Sequence, residues 1–334
     1  MQHTLAPGAP LRGEAAPSTA DPEPVVHLQC GALHAHVAPQ AGGSLAALFN
    51  QDSVNGAKRH WLRPASAQTL AERDPLGMAS FPLLPWANRL RNGRFTLDGR
   101  TVQLPPHPAL GPHAIHGLGW DRAWQVASQS RRRLVLELTH DGSGPWPYAF
   151  SARQIYSLDA QGLRIDMALR NRGTERMPAG LGHHPYLPHD RHGTGTRLKA
   201  HVQGMWESNA ELLPTRLSTA HPAVRTLCSG MQLQAFDLDN NFTGFGREAE
   251  VLWPDGDRLF MHSTAPMDYF VLYCPQGEDI FCMEPVSNCT DWLNLPPDAN
   301  AGGHLLEPGQ TLQGSLWLQP APVRQRQGVA TVRA

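Results

Sequence analysis

Short stretches in which apolar and polar residues alternate recur along the whole chain. The clearest is Leu163–Arg170, where apolar side chains stand at every second position between mostly polar ones. Because successive side chains of a strand point to opposite faces, this period predicts a half-buried antiparallel strand. Similar stretches predict further strands at Arg133–Thr139, Arg197–Val202, Glu248–Trp253, Arg258–His262, Tyr269–Cys274 and Thr311–Gln319.

Turn residues separate these stretches and leave little room for helices. Asp255-Gly256-Asp257, for example, stands between two of the predicted strands. The only helix that the pattern predicts is Ser66–Arg73, with Ser66 as its N-cap and Pro75 preventing its continuation. Many strands, few helices and no strand–helix–strand rhythm predict an all-β antiparallel sandwich. No fixed-period repeat is visible, which argues against a propeller.

Length and composition fit one large sandwich domain. The chain has 334 residues, of which 41% are hydrophobic and 17% charged, as in a globular protein. We expect a disordered Ala/Pro-rich tail over residues 1–24, a single domain over 25–320 and a frayed tail over 321–334. The tail at 1–24 lacks the apolar core of a signal peptide, and no apolar run reaches the roughly 20 residues of a membrane span.

Charge and cysteine usage narrow the possible partners and location. The formal net charge is −1 and no basic block occurs, so we expect neither a nucleic acid nor a membrane partner. Five cysteines, an odd number without a CxxC motif, favour reduced thiols and a cytoplasmic location. They are Cys30, Cys228, Cys274, Cys282 and Cys289.

Histidine is frequent, with 17 residues, and raises the question of a metal. The sequence contains no HExxH motif, and its one HxH, His34-Ala35-His36, has no acidic companion. The spacing therefore predicts no metal site.

Two glycine- and proline-rich segments carry candidate ligand-binding residues. Arg89 stands in an apolar setting, so its guanidinium either forms a structural ion pair or binds sugar hydroxyls as a fork. Trp86 is either a core residue or a platform for a sugar face. His116 stands beside glycines that allow a ligand to approach the backbone, and it is either a loop residue or a hydrogen-bond donor.

Two further segments offer an acid and a base. His183 and His184 are adjacent, so in an extended chain one can face a cleft while the other packs. Glu284 ends an apolar predicted strand before a proline, as a sheet-edge ion-pair residue or as a general base. Asp237–Phe242 carries Asp239 and is either a polar turn or part of the site; it lacks the glycine and terminal glutamate of an EF-hand.

Together, these segments resemble the aldose 1-epimerase (galactose mutarotase) family in order and spacing over about residues 25–320. Each motif is weak alone, but five in order are fairly specific. The matching segments are Asn88-Arg89-Leu90 with Gly93-Arg94-Phe95 and Asp98-Gly99, Ile115-His116-Gly117, His183-His184-Pro185-Tyr186-Leu187, Asp239-Asn240-Asn241-Phe242, and Glu284-Pro285.

The resemblance implies a galactose-mutarotase-like supersandwich with no metal and no organic cofactor. It implies His184 as acid and Glu284 as base for interconverting the α and β anomers of a free aldose. Arg89, His116 and Asp239 would hold the sugar, with Asn88 and Trp86 as further substrate-binding candidates. The segments around Trp86 and His116 look closest to a less-characterised bacterial branch.

This sequence departs from the family pattern beside the predicted site. His183 stands where the family usually has Asn, and Leu187-Pro188 where it has Phe-Asn, which leaves the choice of sugar open. No extra basic cluster and no cysteine-bearing loop of hexose-6-phosphate epimerases is evident, so a neutral sugar is favoured. The alternatives are a non-catalytic carbohydrate-binding protein on the same fold, an epimerase for a phosphorylated or unusual sugar, and a metal-dependent enzyme.

Overall fold

The computed structural model describes residues 25–108, 110–189 and 195–322. The tail predicted at 1–24 and nearly all of that at 321–334 lie outside these residues, so the domain limits remain a prediction. No helix within the described residues is long and apolar enough to cross a membrane. The five cysteines are free thiols, and Cys274, Cys282 and Cys289 are buried.

Antiparallel strands are the main secondary structure of the described chain. In chain order they are β1 Val26–Cys30, β2 Leu33–Ala38, β3 Ser44–Gln51, β4 Lys58–His60, β5 Pro82–Leu83, β6 Arg89–Leu90, β7 Arg94–Leu97, β8 Arg100–Gln103, β9 Ala114–Ile115, β10 Gln125–Gln129, β11 Arg133–His140, β12 Phe150–Leu158, β13 Leu163–Asn171, β14 Met177–Ala179, β15 Gly182–His183, β16 Tyr186–Pro188, β17 Arg197–Ala200, β18 Gly204–Ser208, β19 Pro214–Ser218, β20 Met231–Gln232, β21 Leu238–Thr243, β22 Glu248–Leu252, β23 Arg258–Ser263, β24 Tyr269–Cys274, β25 Ile280–Val286, β26 His304–Leu306 and β27 Thr311–Ala321. The helices are α1 Ala67–Glu72 and α2 Pro222–Ser229.

Two large sheets form the sandwich, as the alternating pattern predicted. The first has nine strands in the order β10-β11-β12-β13-β27-β23-β22-β17-β20. The second has eight, in the path β19-β18-β21-β24-β25-β15-β5 with β16 also pairing to β25. Strands β12 and β13 alternate buried and more exposed residues over nine positions each, the signature of a sheet with one face on the core. The galactose-mutarotase-like all-β fold is confirmed.

The central strands of the second sheet are buried on both faces, and each face belongs to a different apolar cluster. In β24, Phe270 and Leu272 pack in the main core, whereas Tyr269 and Val271 pack in a second cluster. That second cluster also contains Phe81, Trp120, Tyr186 and Trp206. Because side chains alternate along a strand, the second cluster covers the opposite face of this sheet.

The sequence predicted one α-helix, and residues 25–108, 110–189 and 195–322 form two. Helix α1 forms as predicted, with the Ser66 side chain accepting a hydrogen bond from the Thr69 N–H. Helix α2 is a correction: it begins with Pro222 in its first turn, where a missing N–H costs nothing, and ends at Gly230 in the left-handed region. Its buried residues, Ala223, Val224 and Leu227, share one side of a short helix.

Candidate functional site

A gap in strand pairing creates the place for the predicted acid and base. Strand β16 pairs with Ile280–Cys282 of β25. On the same edge of β25, strand β15 pairs with Val286 alone. Residues 283–285 therefore have no ladder partner on that edge, and His184-Pro185 passes between β15 and β16 at this point. Pro285 has no N–H to donate, and it is tolerated because residue 285 has no strand partner on this edge.

Glu284 is not at the end of its strand, which corrects the sequence prediction. It lies inside β25, two residues before the end at Val286. Glu284 alternates with Met283, which packs in the main core, and so shares the opposite face with Cys282 and Val286. The second apolar cluster therefore surrounds a carboxyl group whose side chain is only 2% exposed.

The structure brings His184 and Glu284 together. Nε2 of His184 lies 3.2 Å from Oε1 of Glu284, and the two side chains are 9% and 2% exposed. The other atoms of the pair, His184 Nδ1 and Glu284 Oε2, are buried without a hydrogen-bond partner among the described residues. Two proton-carrying groups in contact, with unused polar atoms beside them, can donate to and accept from a ligand.

Burial controls the protonation of this pair. Removal from water raises the pKa of the Glu284 carboxyl well above its usual range, with a further increase from Asp239 and an opposing effect of Arg89. Burial likewise lowers the pKa of the His184 imidazole to about 3. Burial therefore favours the uncharged form of each group.

Two aromatic rings contact the His184 imidazole. Phe81 and Tyr186 lie 4.6 Å and 4.7 Å from it between ring centres, and their own ring centres are 6.1 Å apart, so the three rings form one mutual cluster. The Arg63 guanidinium lies 3.9 Å from the centre of the Tyr186 ring, on a cation–π contact. The ring of His184 is thus fixed in orientation and kept from water.

Arg89 and Asp239 form the more open part of the site. Arg89 Nη1 lies 3.4 Å from Asp239 Oδ2, and the side chains are 14% and 20% exposed. Exposure therefore increases from Glu284 through His184 to Arg89 and Asp239, as expected for the floor and the mouth of a cleft. Asp239 lies on strand β21, which excludes the polar turn as the structure of 238–243.

Asn88 connects Arg89 to His116. The Asn88 side-chain oxygen accepts hydrogen bonds from the Arg89 N–H at 2.8 Å and from Arg89 Nη1 at 3.3 Å. The backbone N–H of Asn88 donates to Nδ1 of the His116 ring, and the backbone N–H of His116 donates to the backbone carbonyl of Asn88. Asn88 is buried, so it positions its two neighbours.

His116 is a neutral donor next to the pair. Its ring centre lies 5.2 Å from that of His184, and burial lowers the pKa of His116 well below its usual range. Because Nδ1 accepts a hydrogen bond, the proton of the neutral ring is on Nε2. Gly117, at φ +77°, follows it where an added Cβ would lie 2.0 Å from the Leu84 carbonyl oxygen.

Comparison with known proteins places the whole domain in one family. A family model described as Aldose 1-epimerase matches residues 24–319. The chain belongs to the aldose 1-epimerase family. The uncharacterised protein YphB of Escherichia coli (strain K12) is 30% identical over 249 residues, which span 72% of this chain and 82% of YphB. An Escherichia coli (strain K12) protein named aldose 1-epimerase is 33% identical over 106 residues, 30% of each chain.

Solved structures agree with the family at the level of the fold. A crystal structure from Escherichia coli K12, described as a candidate aldose 1-epimerase, is 26% identical with a TM-score of 0.78, covering 89% of this chain and 98% of that one. A galactose mutarotase-like protein of Clostridium acetobutylicum is 19% identical with a TM-score of 0.76, covering 89% and 95%. The second likeness concerns the fold alone.

Trp86 is the one candidate that the structure does not bring to the pair. It is 2% exposed, belongs to the main core and packs on Trp146 at 5.0 Å between ring centres. His183 is completely buried on the other side of the chain from His184, where its Nδ1 contacts the Ser80 hydroxyl at 2.5 Å. Adjacent side chains of an extended chain point to opposite sides, so this placement of His183 and His184 is the expected one.

The sequence analysis missed the residues that hold His184. Phe81, Tyr186 and Arg63 were not assigned roles, although Phe81 and Tyr186 lie inside segments that it singled out. Their spacing in the sequence could not show that both rings contact the His184 imidazole. Cys282 was also missed; alternation with Glu284 on one strand would have placed it on the same face.

Cys282 adds a third potential metal ligand to the pair. Single donor atoms of His184, Cys282 and Glu284 lie within 4.8 Å of one another, and all three residues are buried. Nε2 and Oε1 already contact each other, and burial raises the pKa of the Cys282 thiol well above its usual range. The metal-free expectation therefore remains a prediction.

Proposed function

We propose that this protein is an aldose 1-epimerase that interconverts the α and β anomers of a free, neutral aldose. The observation that carries the proposal is the 3.2 Å contact between His184 Nε2 and Glu284 Oε1, two buried side chains beside the more exposed Arg89 and Asp239. Membership of the aldose 1-epimerase family supports a reaction of this class.

Anomer exchange opens the hemiacetal ring and closes it on the other face of the carbonyl. Opening removes a proton from the C1 hydroxyl and delivers one to the ring oxygen. In our proposal Glu284 is the base and His184 the acid, so a single proton on the pair is sufficient. Opening leaves Glu284 protonated and His184 neutral, and closure uses that arrangement in reverse.

In closure Glu284 gives its proton to the C1 oxygen and His184 takes the proton of the former ring oxygen. Each cycle therefore ends with the arrangement of protons that began it. A protonated His184 is a strong acid because burial lowers its pKa, and an ionised Glu284 is a strong base because burial raises its pKa. Burial thus increases the acidity of protonated His184 and the basicity of ionised Glu284.

The remaining site residues would hold and orient the sugar. Arg89 offers guanidinium donors, and His116 offers its Nε2 proton to an oxygen that gains charge as the ring opens. Because Arg89 is already paired with Asp239, its charge is largely compensated. This pairing supports a neutral sugar over a phosphorylated one, since Asp239 would repel a phosphate.

The direct test follows optical rotation after fresh α-D-glucose or α-D-galactose is added to purified protein. Glu284→Gln and His184→Asn should each reduce kcat by about 10²–10⁴-fold, because each removes one proton-transfer group. His262→Asn is the matched control, because His262 belongs to an exposed His–Glu pair with Glu248 at 3.7 Å. Full activity in either site variant would refute its role.

Two other outcomes would change the proposal. Sugar binding without anomer exchange would indicate a carbohydrate-binding protein on the same fold. Faster turnover of a 6-phosphorylated hexose than of the free hexose would contradict the preference for a neutral sugar.

A further inference from the structure

Arg63 begins a stack of side chains that continues through the reacting imidazole. Its guanidinium carbon lies 3.9 Å from the centre of the Tyr186 ring. Tyr186 in turn stacks on His184 with the ring planes 23° apart, and His184 stacks on Phe81 with the planes 29° apart. Phe81 and Tyr186 are themselves 6.1 Å apart between ring centres, so the two rings form adjacent walls of the pocket that holds the imidazole, and Arg63 lies against the Tyr186 wall.

Arg63 also joins the two chain segments that carry these rings. Its N–H donates to the Tyr186 carbonyl at 2.9 Å, which anchors strand β16. Its Nη2 donates to the carbonyls of Leu76 and Met78, at 2.5 Å and 2.8 Å, in the segment that leads to Phe81. The Arg63 side chain thus connects the Tyr186 ring, on which it stacks, to the segment that leads to Phe81, and in this way holds the Tyr186 and Phe81 walls together.

Backbone hydrogen bonds continue the same connection towards the pair. The Tyr186 N–H donates to the Ala79 carbonyl at 2.9 Å, and the His184 N–H donates to the Phe81 carbonyl at 3.0 Å. A guanidinium suits this position because it is planar, always charged and able to donate in several directions while stacked on a ring. An ammonium can replace the charge but not this geometry.

We propose that Arg63 is a positioning residue for the reaction proposed above: it fastens the Tyr186 and Phe81 walls so that the His184 imidazole stays aligned with Glu284. The inference rests on the proposed function for its kinetic consequences, whereas the fastening itself is a property of the fold. Arg63 acts through Tyr186 and the backbone, and needs no contact with the sugar.

The charge of Arg63 provides a signature that a purely structural role would not have. After burial, which has the largest effect, the Arg63 charge lowers the pKa of His184. Loss of that charge should raise the pKa of His184, so the acid limb of the kcat profile should move to higher pH. The charged or titratable groups around His184 are Glu284, Tyr186, His116, Arg89, His183, Cys282 and Arg63.

The experiment compares Arg63→Met, Arg63→Lys and the control Arg59→Met. Arg59 also carries a guanidinium over tryptophan rings, at 5.4 Å from Trp61, but it pairs with Asp255 at the surface. Arg63→Met should lower kcat by about 10- to 100-fold with KM changed less than about twofold, because misalignment affects the transition state more than binding. Arg63→Lys should recover part of kcat and keep the wild-type acid limb, and Arg59→Met should match the wild type.

A second readout does not depend on activity. In histidine-labelled protein, the His184 imidazole signal can be assigned by its loss in His184→Asn. Arg63→Met should broaden or double that signal, whereas Arg59→Met should leave it unchanged. If the wild type shows no mutarotation, the proposed function fails, and this readout still decides whether Arg63 aligns the imidazole.

Unchanged kcat, acid limb and His184 signal in folded Arg63→Met would overturn the inference. An equal loss in Arg59→Met would also overturn it, because the effect would then be one of general stability. If Arg63→Met does not fold by circular dichroism, Arg63→Gln replaces it, since Gln keeps one donor and removes the charge. The same results support or overturn the inference for that variant.

Discussion

The completely buried His183 predicts a specific loss of stability in acid. Its imidazole is 0% exposed, contacts the Ser80 hydroxyl at 2.5 Å, and has its pKa lowered to about 3 by burial. The perturbation is His183→Asn, which removes the titrating group and introduces the residue that the family usually has here. We expect the variant to lose less stability than the wild type when the pH falls.

The size of the effect follows from the difference between folded and unfolded chains. Unfolded, the imidazole of His183 binds a proton below about pH 6.5, whereas in the folded protein it does so only near pH 3. Stability from this group is therefore complete above pH 6.5 and decreases as the pH falls towards 3. With about 1.4 kcal/mol per pKa unit, the loss between pH 7 and pH 5 is about 2 kcal/mol.

Urea unfolding followed by tryptophan fluorescence at pH 7 and pH 5 measures this difference. In each protein the other histidines contribute equally, so the difference between the two pH values isolates His183. The exposed His262 serves as control, and His262→Asn should show the wild-type dependence. The reasoning is refuted if His183→Asn loses as much stability between pH 7 and pH 5 as the wild type.

Two further predictions concern the backbone beside His116 and the metal question. Gly117→Ala should destabilise by more than about 2 kcal/mol and reduce activity, because its Cβ would lie 2.0 Å from the Leu84 carbonyl oxygen. Gly99→Ala, also at φ +77° but with nothing within 4 Å, should cost about 1–2 kcal/mol; equal losses in urea unfolding would contradict this account. Dialysis against EDTA should leave turnover unchanged and elemental analysis should find no stoichiometric metal, whereas loss restored by Zn²⁺ would disprove the metal-free expectation.

Alternation along the chain was sufficient to predict most of the sandwich. The stretch Tyr269–Cys274 forms a strand with the predicted limits, and Leu163–Arg170 extends by one residue to Asn171. Each of these strands has either one face on an apolar cluster or a different apolar cluster on each face. The pattern of apolar residues in the strand itself is therefore enough to predict it. The predicted Arg197–Val202 ends two residues early, at Ala200, because strand ends depend on partners outside the stretch.

The errors arose where distant contacts decide the local structure. A carboxyl followed by Pro285 indicated a strand end at Glu284, yet the strand continues because its neighbour is interrupted at that point. That interruption depends on pairing between segments about a hundred positions apart. Helix α2 was readable in principle from Pro222 and Gly230, but its eight residues give little more than two turns of periodicity.

For the candidate site, too, the sequence indicates the residue types, whereas their contacts depend on distant parts of the chain. The residue types of His184 and Glu284 were accessible through the order of motifs, whereas their 3.2 Å contact depends on the fold. Arg63 illustrates the limit further, because it resembles any other arginine in the sequence. Only the Tyr186 ring beneath it and the two carbonyls in front of it distinguish it.

The cost of the buried pair indicates what kind of ligand the cleft suits. His184 Nδ1 and Glu284 Oε2 have no partner among the described residues, and each unsatisfied buried group costs about 1–3 kcal/mol. The rings of Phe81 and Tyr186 lie against the same pair. A ligand with hydroxyl groups can form hydrogen bonds with the two unsatisfied atoms, and its C–H surface can pack on the aromatic rings. A pyranose has this combination, so the proposed substrate also satisfies the groups that the fold leaves unsatisfied.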